Sequence, residues 1–179
     1  MNFIERIRLF FYKRFLQKKA NQHQRKHQPC NLDNARQVGI LFDATDLTTQ
    51  KVVQQYSKEL QNRGKVVRSL GFINTRQKHE NLSFKHFTRR DVDWAYRPKG
   101  TEVDFFMSQD FDILLVLSYH SNLQFEYIST LSKAQMRVGP YAEHTDSYDL
   151  MLDASSQNDL RPFIDQIELY LTKMDSSHE

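Results

Sequence analysis

The sequence contains one cysteine, and no stretch of it is apolar for long enough to cross a bilayer. Cys30 has no second cysteine with which to form an intramolecular disulfide, which is typical of proteins from a reducing compartment. A membrane-spanning helix needs about 20 consecutive apolar residues, and no such run occurs. Arg6, Arg8, Lys13 and Arg14 interrupt the apolar residues at the N-terminus, unlike the apolar core of a secretory signal peptide. We therefore predict a cytoplasmic location.

Glycine and proline are also scarce, at 5 and 4 residues, so long flexible connections are not expected. The sequence has no internal repeat and neither of the glycine-rich phosphate-binding patterns, GxGxxG and GxxxxGK(S/T). His23 and His27 have the i, i+4 spacing of metal ligands, but no third ligand lies near them. We therefore predict no cofactor and no metal site. The length of 179 residues suits one globular domain.

One segment is strongly apolar: residues 111–118, with the sequence FDILLVLS. A strand that is apolar on both faces is buried on both faces, which requires helices on both sides of a mostly parallel sheet. On either side of this segment, short apolar runs alternate with helical patterns. We therefore predict an α/β fold, a three-layer sandwich with a mostly parallel, Rossmann-like sheet of five or six strands.

The predicted elements follow one another with short connections. Apolar positions at helical spacing predict helices at residues 48–63, 102–108, 123–132 and 160–174. Strands are predicted at residues 37–42, 65–70, 111–118, 136–139 and 148–152, and a charged edge strand at residues 85–94. Gly64 is predicted to end the first of these helices, and Asn158 or Asp159 to begin the last.

The N-terminal segment is predicted to form a basic amphipathic helix over residues 2–20. Large apolar residues recur on one arc of it at about 100° per residue. These residues are Phe3, Ile4, Ile7, Phe10, Phe11 and Phe15. Residues 1–27 hold eight Lys or Arg against Glu5 alone, a balance of +7, and since the whole chain is +3, the remainder is −4. We therefore divide the chain into the basic helix with a polar linker, residues 1–36, and one α/β domain, residues 37–179.

Three interpretations of this helix are open. Its apolar stripe packs on the α/β domain or on a second copy of the chain, or it attaches to a membrane surface, or its charged face binds RNA or the ribosome. In the second case the aromatic rings enter the acyl boundary while Lys and Arg contact anionic headgroups. The predicted membrane- or partner-binding residues are Phe3, Arg6, Ile7, Arg8, Phe10, Phe11, Lys13, Phe15, Lys18 and Lys19.

Polar residues after two of the predicted strands are candidate ligand-binding positions, because ligands of open α/β sheets bind beyond the carboxyl ends of the strands. These residues are Asp43, Thr45 and Asp46 after the first strand, and Ser118 and His120 after the central strand. An alternative role for Asp46 or Thr48 is to cap the helix that follows. Ser118 lacks the G-x-S-x-G turn of a serine nucleophile, and we predict no catalytic residue.

From residue 38 to residue 171 the chain resembles a family of small uncharacterised proteins found in Bacteroidetes. The resemblance lies in the segments VGILFDA, DVDW, FDILLVLS, RVGPY and YDLMLD, and in the Gly64-Lys65 turn. That family has no known function to carry over. The segments FDILLVLS, LSKAQMRVGPY and YDLMLD are also similar to one half of the ADP-heptose-type lipopolysaccharide glycosyltransferases, which bind a sugar nucleotide between two Rossmann-like halves.

Together, these patterns favour a non-enzymatic cytoplasmic binding or scaffold protein. Its basic helix is predicted to attach it to an anionic membrane surface, peripherally at the inner membrane, or to a protein partner. Two alternatives stay open. One is an RNA- or ribosome-associated protein, and the other is a nucleotide- or sugar-nucleotide-binding enzyme that uses the loops after the first and the central strand.

Overall fold

The computed structural model describes residues 2–22, 28, 30–77, 82–142, 147–154 and 159–173. The helices are α1 (Phe3–Gln22), α2 (Leu47–Asn62), α3 (Thr101–Met107), α4 (Leu123–Leu131) and α5 (Leu160–Lys173). The strands are β1 (Gln37–Asp43), β2 (Val66–Ile73), β3 (Lys85–Thr88), β4 (Ile113–Leu117), β5 (Met136–Pro140) and β6 (Leu150–Leu152). A 3₁₀ turn, Arg89–Asp91, follows β3.

The six strands form one parallel sheet in the order β3-β2-β1-β4-β5-β6. Strand β4, which comes from the strongly apolar segment, lies beside β1 at the centre, and all of its residues are buried. This strand order is that of the Rossmann fold, and it reverses between β1 and β4. The predicted α/β fold with a parallel, Rossmann-like sheet is therefore confirmed. The reversal leaves a crevice at the carboxyl edge of the sheet, where the connections from β1 and β4 diverge.

Helices cover both faces of the sheet, which gives the three predicted layers. Successive residues of a strand point to opposite faces, so β1 and β4 contribute side chains to two separate cores. The core under α2 and α5 includes Ile40, Leu115, Tyr56, Leu60, Phe163 and Ile167. The core under α1, α3 and α4 includes Leu41, Leu114, Tyr12, Phe106, Phe125 and Ile128. Helix α1 is therefore part of the packed fold, since it contributes Tyr12 to the second core.

Local signals set both ends of α2. Asp46 is the N-cap: its carboxylate accepts hydrogen bonds from the Thr49 N–H at 2.8 Å and from the Thr49 hydroxyl at 2.6 Å. A capping carboxylate satisfies N–H groups that the first helical turn leaves free. At the other end, Gly64 adopts a left-handed φ of 80°, as predicted for the residue after the helix. These short-range interactions confirm the capping role given to Asp46 by the sequence.

The edge strand is shorter than predicted. It ends at Thr88 because Thr88 and Asp91 form a capping box, in which the Thr88 N–H donates to the Asp91 carboxylate at 2.8 Å, and this starts the 3₁₀ turn. Beyond the turn, Val92 pairs with Pro98 in an isolated antiparallel bridge. The chain therefore leaves the sheet after β3 and forms a loop, and the tip of that loop carries Trp94 to α1.

The predicted polar linker is partly core. Leu32 and Ala35 are buried and belong to the core under α2 and α5, because the segment before β1 folds back over the edge of that layer. Helix α1 reaches Gln22, slightly beyond its predicted end. The histidines at positions 23 and 27, and the predicted helix residues at positions 158 and 174, lie outside the described residues.

Candidate functional site

Helix α1 begins with a capping box and is held against α4. The Asn2 N–H donates to the Glu5 carboxylate at 2.9 Å, and the Glu5 N–H donates to the Asn2 side chain at 2.8 Å. Further along the helix, Tyr12 is 1% exposed, and its hydroxyl donates to the Leu123 carbonyl oxygen at 2.7 Å. Burial raises the pKa of Tyr12, with the nearby Glu126 carboxylate adding to the effect, so the hydroxyl remains a donor at neutral pH.

The remaining contacts of this inner side of α1 are apolar and aromatic. Phe15 stacks on Tyr127, with ring centroids 6.2 Å apart and planes 12° apart. The guanidinium of Arg97 lies 4.4 Å from the centroid of the Phe15 ring. Leu9 and Leu16 pack against the same core. Phe15, which the sequence placed among the surface anchors, is therefore half-buried against the protein's own domain.

The opposite side of α1 exposes large apolar side chains. Phe11 meets Trp94 edge to face, with ring centroids 5.4 Å apart, and Phe10 meets Phe11 in the same way at 5.7 Å. Ile4 and Ile7 line a groove between the helix and Trp94. We call this surface the apolar face. It comprises Phe3 (76% exposed), Ile4 (66%), Ile7 (37%), Phe10 (59%), Phe11 (47%) and Trp94 (55%).

The apolar face is larger than an ordinary exposed patch. With about 200 Å² for each large apolar residue, the exposed fractions correspond to roughly 600–700 Å². The largest apolar patch on a typical monomer is about 300–600 Å². Exposed apolar surfaces of this size are typical of interaction sites.

Basic side chains border the apolar face. At 100° per residue, Arg6 and Lys13 lie along one edge of it, and Arg14 and Lys18 continue its arc toward the C-terminal end of α1. All four are exposed, and none of them forms an ion pair or a side-chain hydrogen bond with another described residue. Their charges are therefore available to an anionic partner.

Two other predicted basic contacts, Arg8 and Lys19, lie toward the domain. The Arg8 guanidinium donates to the Trp94 carbonyl oxygen, and it lies 4.0 Å from the centroid of the Tyr96 ring. Lys19 lies 5.9 Å from the centroid of the Phe15 ring. Arg8 therefore helps to hold the Trp94 loop against α1.

A polar cleft of about 580 Å³ lies beside the apolar face, at the carboxyl edge of the sheet. The last residue of β1, the connections after β2 and β3 and the first turn of α4 line it, and α1 lies along its rim. We call it the arginine cleft. Its charged residues are Glu5, Arg8, Asp43, Arg76, Arg89 and Asp93.

Hydrogen bonds tie the walls of the arginine cleft to one another. The Thr45 hydroxyl, after β1, accepts from the N–H of Asn74, after β2, at 3.1 Å. The carbonyl oxygen of Thr75 in turn accepts from the N–H of Arg89, after β3, at 2.9 Å. Three consecutive connections are therefore fixed relative to each other by hydrogen bonds within the protein.

Asp93 fixes the loop that separates the cleft from the apolar face. Its carboxylate accepts from the Arg97 side chain and from the N–H groups of Ala95 and Arg97, and the Arg97–Asp93 ion pair is 2.7 Å long. Partial burial by itself raises the pKa of Asp93, but these hydrogen bonds outweigh it and hold that pKa below its usual value. Asp93 is therefore ionised at neutral pH and engaged with its own loop.

A model of a protein family of unknown function, DUF6913, matches residues 8–174. The chain belongs to the DUF6913 family. The match runs from within α1 through all six strands to the end of α5, so it includes the helix as well as the α/β layers. The expectation that the chain belongs to a family without an assigned function is confirmed. No curated protein and no solved structure matches the chain.

In this DUF6913 protein, most of the predicted ligand-binding residues use their side chains in hydrogen bonds to backbone groups. Thr45 and Asp46 make the loop and capping contacts given above, and Ser118 is buried and donates to the His120 carbonyl oxygen at 2.9 Å. Asp43 lines the arginine cleft, whereas the exposed His120 lines a different cleft, of about 460 Å³, beside Lys13. The structure therefore does not bring the candidates after β1 and β4 into one site.

Several residues that line or shape these surfaces of the DUF6913 protein are not predicted from the sequence. Trp94 is the single tryptophan, yet nothing in the sequence shows that its loop reaches α1. Arg76 and Arg89 lie in the connections after β2 and β3, in the segment whose pattern was least regular. Tyr12 had a detectable signal, since Leu9, Tyr12 and Leu16 form a second apolar stripe at i, i+3 and i+7.

Two further features concern the described part of the chain. No helix there has the length and apolar character needed to cross a membrane. Nor do three or more His, Cys, Asp or Glu side chains come together there as a set of metal ligands.

Proposed function

We propose that this protein binds the surface of an anionic membrane through the apolar face of α1. The observation that carries the proposal is that one side of α1 is fixed to the domain by Tyr12 while the other side leaves five large apolar residues exposed, with Trp94 of the neighbouring loop beside them. A helix with aromatic residues on one arc and Lys or Arg at its edges is typical of helices that lie in the membrane interface.

The folded helix favours this role, because binding needs no further ordering of α1. Segments that fold only on binding lose affinity to the ordering step, whereas α1 is already held by α4 and by the Trp94 loop. Phe10 and Phe11 are placed to enter the boundary between headgroups and acyl chains. Arg14 and Lys18 would then contact anionic headgroups, an attraction of about 1 kcal/mol for each basic residue.

The proposal is for a binding role, with the α/β domain presented at the membrane surface. Asp46 and Ser118 are predicted from the sequence as candidates for ligand binding. In the structure the Asp46 side chain caps α2, and the Ser118 hydroxyl donates to a backbone carbonyl oxygen. The arginine cleft opens next to the apolar face, since Arg8, Arg76 and Asp93 line both the cleft and the groove beside Ile7.

Sedimentation with phosphatidylglycerol vesicles tests the proposal on the whole chain. Phe10 exposes about 120 Å², which is worth about 3 kcal/mol when buried, so we expect Phe10→Asp to weaken vesicle binding by at least about tenfold. The matched control is Leu169→Asp on α5, because Leu169 is an apolar helix residue of similar exposure, 53%, away from α1. That variant adds the same charge and should bind as the unmodified protein does.

Three results would contradict the proposal. Equal binding by Phe10→Asp and by the unmodified protein would remove the apolar face from the interaction. Binding to ribosomes that is released by moderate salt, with none to vesicles, would favour the RNA alternative, because phosphate contacts weaken steeply with ionic strength. A concentration-dependent dimer that Phe10→Asp dissociates, again without vesicle binding, would show that a second copy covers the face.

A further inference from the structure

We infer that the arginine cleft is a binding site for a phosphate group, carried either by a small molecule or by a lipid headgroup. The inference does not depend on membrane attachment, because it concerns residues in the connections after β2 and β3 and on the inner side of α1. Arginine is suited to this chemistry, since its planar guanidinium forms two parallel hydrogen bonds to phosphate oxygens.

The three arginines of the cleft differ from the other arginines around it in being available. Arg97 is neutralised by Asp93, whereas the guanidinium groups of Arg76 and Arg89 have no ion pair and no hydrogen bond to another described residue. Arg8 is held in place by the Trp94 carbonyl oxygen through one of its five donors, which leaves the others for a ligand. The cleft therefore presents three cations, one of them pre-positioned.

The carboxylates of the same cleft are occupied. Asp43 accepts from the Thr45 N–H at 2.9 Å, Glu5 accepts from the Asn2 N–H at 2.9 Å as part of the helix cap, and Asp93 is paired with Arg97. None of these acids is paired with one of the three cleft arginines. With Asp93 neutralised by Arg97, three arginines face the two carboxylates of Glu5 and Asp43, so the cleft carries a formal balance of +1 and its guanidinium groups are not consumed by its own acids.

The position of the cleft also suits an anion. It lies at the carboxyl edge where ligands of open parallel sheets bind, and the first turn of α4 borders it at Leu123 and Gln124. The Asn122 side chain caps this helix by accepting from the Phe125 N–H at 2.9 Å, and the helix dipole still favours an anion at its N-terminus. A volume of about 580 Å³ exceeds what a phosphate ion needs and falls in the range of about 300–1,000 Å³ that small-molecule sites occupy. The ligand class is thus a phosphorylated molecule rather than phosphate alone.

The test uses pyrophosphate as the probe and isothermal titration calorimetry on the whole chain. We expect pyrophosphate to bind, and Arg76→Gln and Arg89→Gln each to weaken the affinity by about tenfold or more, because each removes a charge-assisted hydrogen bond. The matched control is Arg90→Gln. Arg90 is the next residue in the same 3₁₀ turn and is also exposed, but it does not line the cleft. All three variants retain their backbone contacts, so they should fold.

Vesicle binding then distinguishes the two sources of the phosphate. If phosphatidic acid vesicles bind more tightly than phosphatidylglycerol vesicles and Arg89→Gln abolishes that preference, the cleft holds a lipid phosphomonoester. If Arg89→Gln changes only pyrophosphate affinity, the cleft holds a soluble phosphorylated molecule. Both outcomes support the inference, and neither depends on Phe10→Asp, which should leave pyrophosphate binding unchanged.

The inference fails if pyrophosphate does not bind at millimolar concentration, or if Arg90→Gln weakens binding as much as Arg89→Gln does. The second result would mean that overall positive charge, rather than the cleft, attracts the anion. A failure of this kind leaves the membrane proposal standing, because phosphatidylglycerol binding through the apolar face needs neither Arg76 nor Arg89.

Discussion

Replacing Tyr12 by alanine should detach α1 from the domain, and the loss can be estimated from the structure. Tyr12 is 1% exposed, so truncation removes nearly all of a buried ring of about 200 Å², which corresponds to roughly 5 kcal/mol at 25 cal/mol per Å². Measured costs of truncating large buried aromatic residues are about 3–5 kcal/mol. We therefore expect Tyr12→Ala to lower the free energy of unfolding by about 3–5 kcal/mol.

Tyr12→Phe separates the hydrogen bond from the packing. The phenylalanine ring keeps the apolar contacts, whereas the bond from the hydroxyl to the Leu123 carbonyl oxygen is lost. That carbonyl lies in the first turn of α4 and keeps its bond within the helix, so no buried acceptor is left unpaired. The expected cost is about 1 kcal/mol, the net value of an ordinary hydrogen bond.

Trp94 provides the assay. It is the single tryptophan, and it contacts Phe11 of α1, so its fluorescence reports whether α1 is docked. Urea unfolding should be followed by Trp94 emission and by far-ultraviolet circular dichroism. In Tyr12→Ala we expect the emission change to precede the loss of helix and sheet, because α1 separates before the sheet unfolds.

The control for this experiment is Phe10→Ala on the exposed side of the same helix. Its effect should stay within about 0.5 kcal/mol, as for most surface substitutions. A destabilisation by Tyr12→Ala of less than about 1 kcal/mol, or one equal to that of Phe10→Ala, would refute the reasoning, because α1 would then contribute little to the fold.

The other predictions concern stability and are measured by urea unfolding. Asp93→Asn should make the stability of the protein less sensitive to acid. The folded-state pKa of Asp93 is lowered, so its carboxylate, paired with Arg97, contributes stability above its ordinary pKa of about 4. That contribution is lost as the pH falls through the lowered pKa. Gly39→Ala should cost about 1–3 kcal/mol, because its Cβ would lie 2.7 Å from the Phe111 ring. Asp46→Ala should cost about 1 kcal/mol and Asp46→Ser much less, since serine can still cap α2.

The layers of the fold could be predicted because their signals are local or very strong. The apolar run that forms β4 can only be buried on both faces, and burial on both faces requires helices on each side of the sheet. Asp46 and Gly64 act within a few residues of their own positions, so their roles follow from residue type and spacing. The predicted edge strand is longer than β3, because the end of β3 is set by the capping box of Thr88 and Asp91 within a charged segment.

The surroundings of the site could not be predicted in the same way. Arg76 and Arg89 are far from Arg8 in sequence, and the strand order together with the packing of α1 brings them to one cleft. Periodicity identifies the apolar arcs of a helix, but it does not say which arc meets the domain. For the larger arc of α1, with Phe10 and Phe11, the sequence left packing on the domain and outside attachment both open, and in the structure this arc is exposed.

The two arcs of α1 explain how one helix can serve the fold and an external surface together. At 100° per residue, Tyr12 and Phe10 lie about 160° apart around the helix axis, so a substitution on one side leaves the contacts of the other side in place. Tyr12→Phe should therefore reduce stability without changing vesicle affinity, and Phe10→Asp should reduce vesicle affinity without changing stability. If Phe10→Asp lowered the free energy of unfolding as much as Tyr12→Ala does, the apolar face would be part of the core. If the two variants have these separate effects, one side of α1 stabilises the fold and the other side binds an external surface.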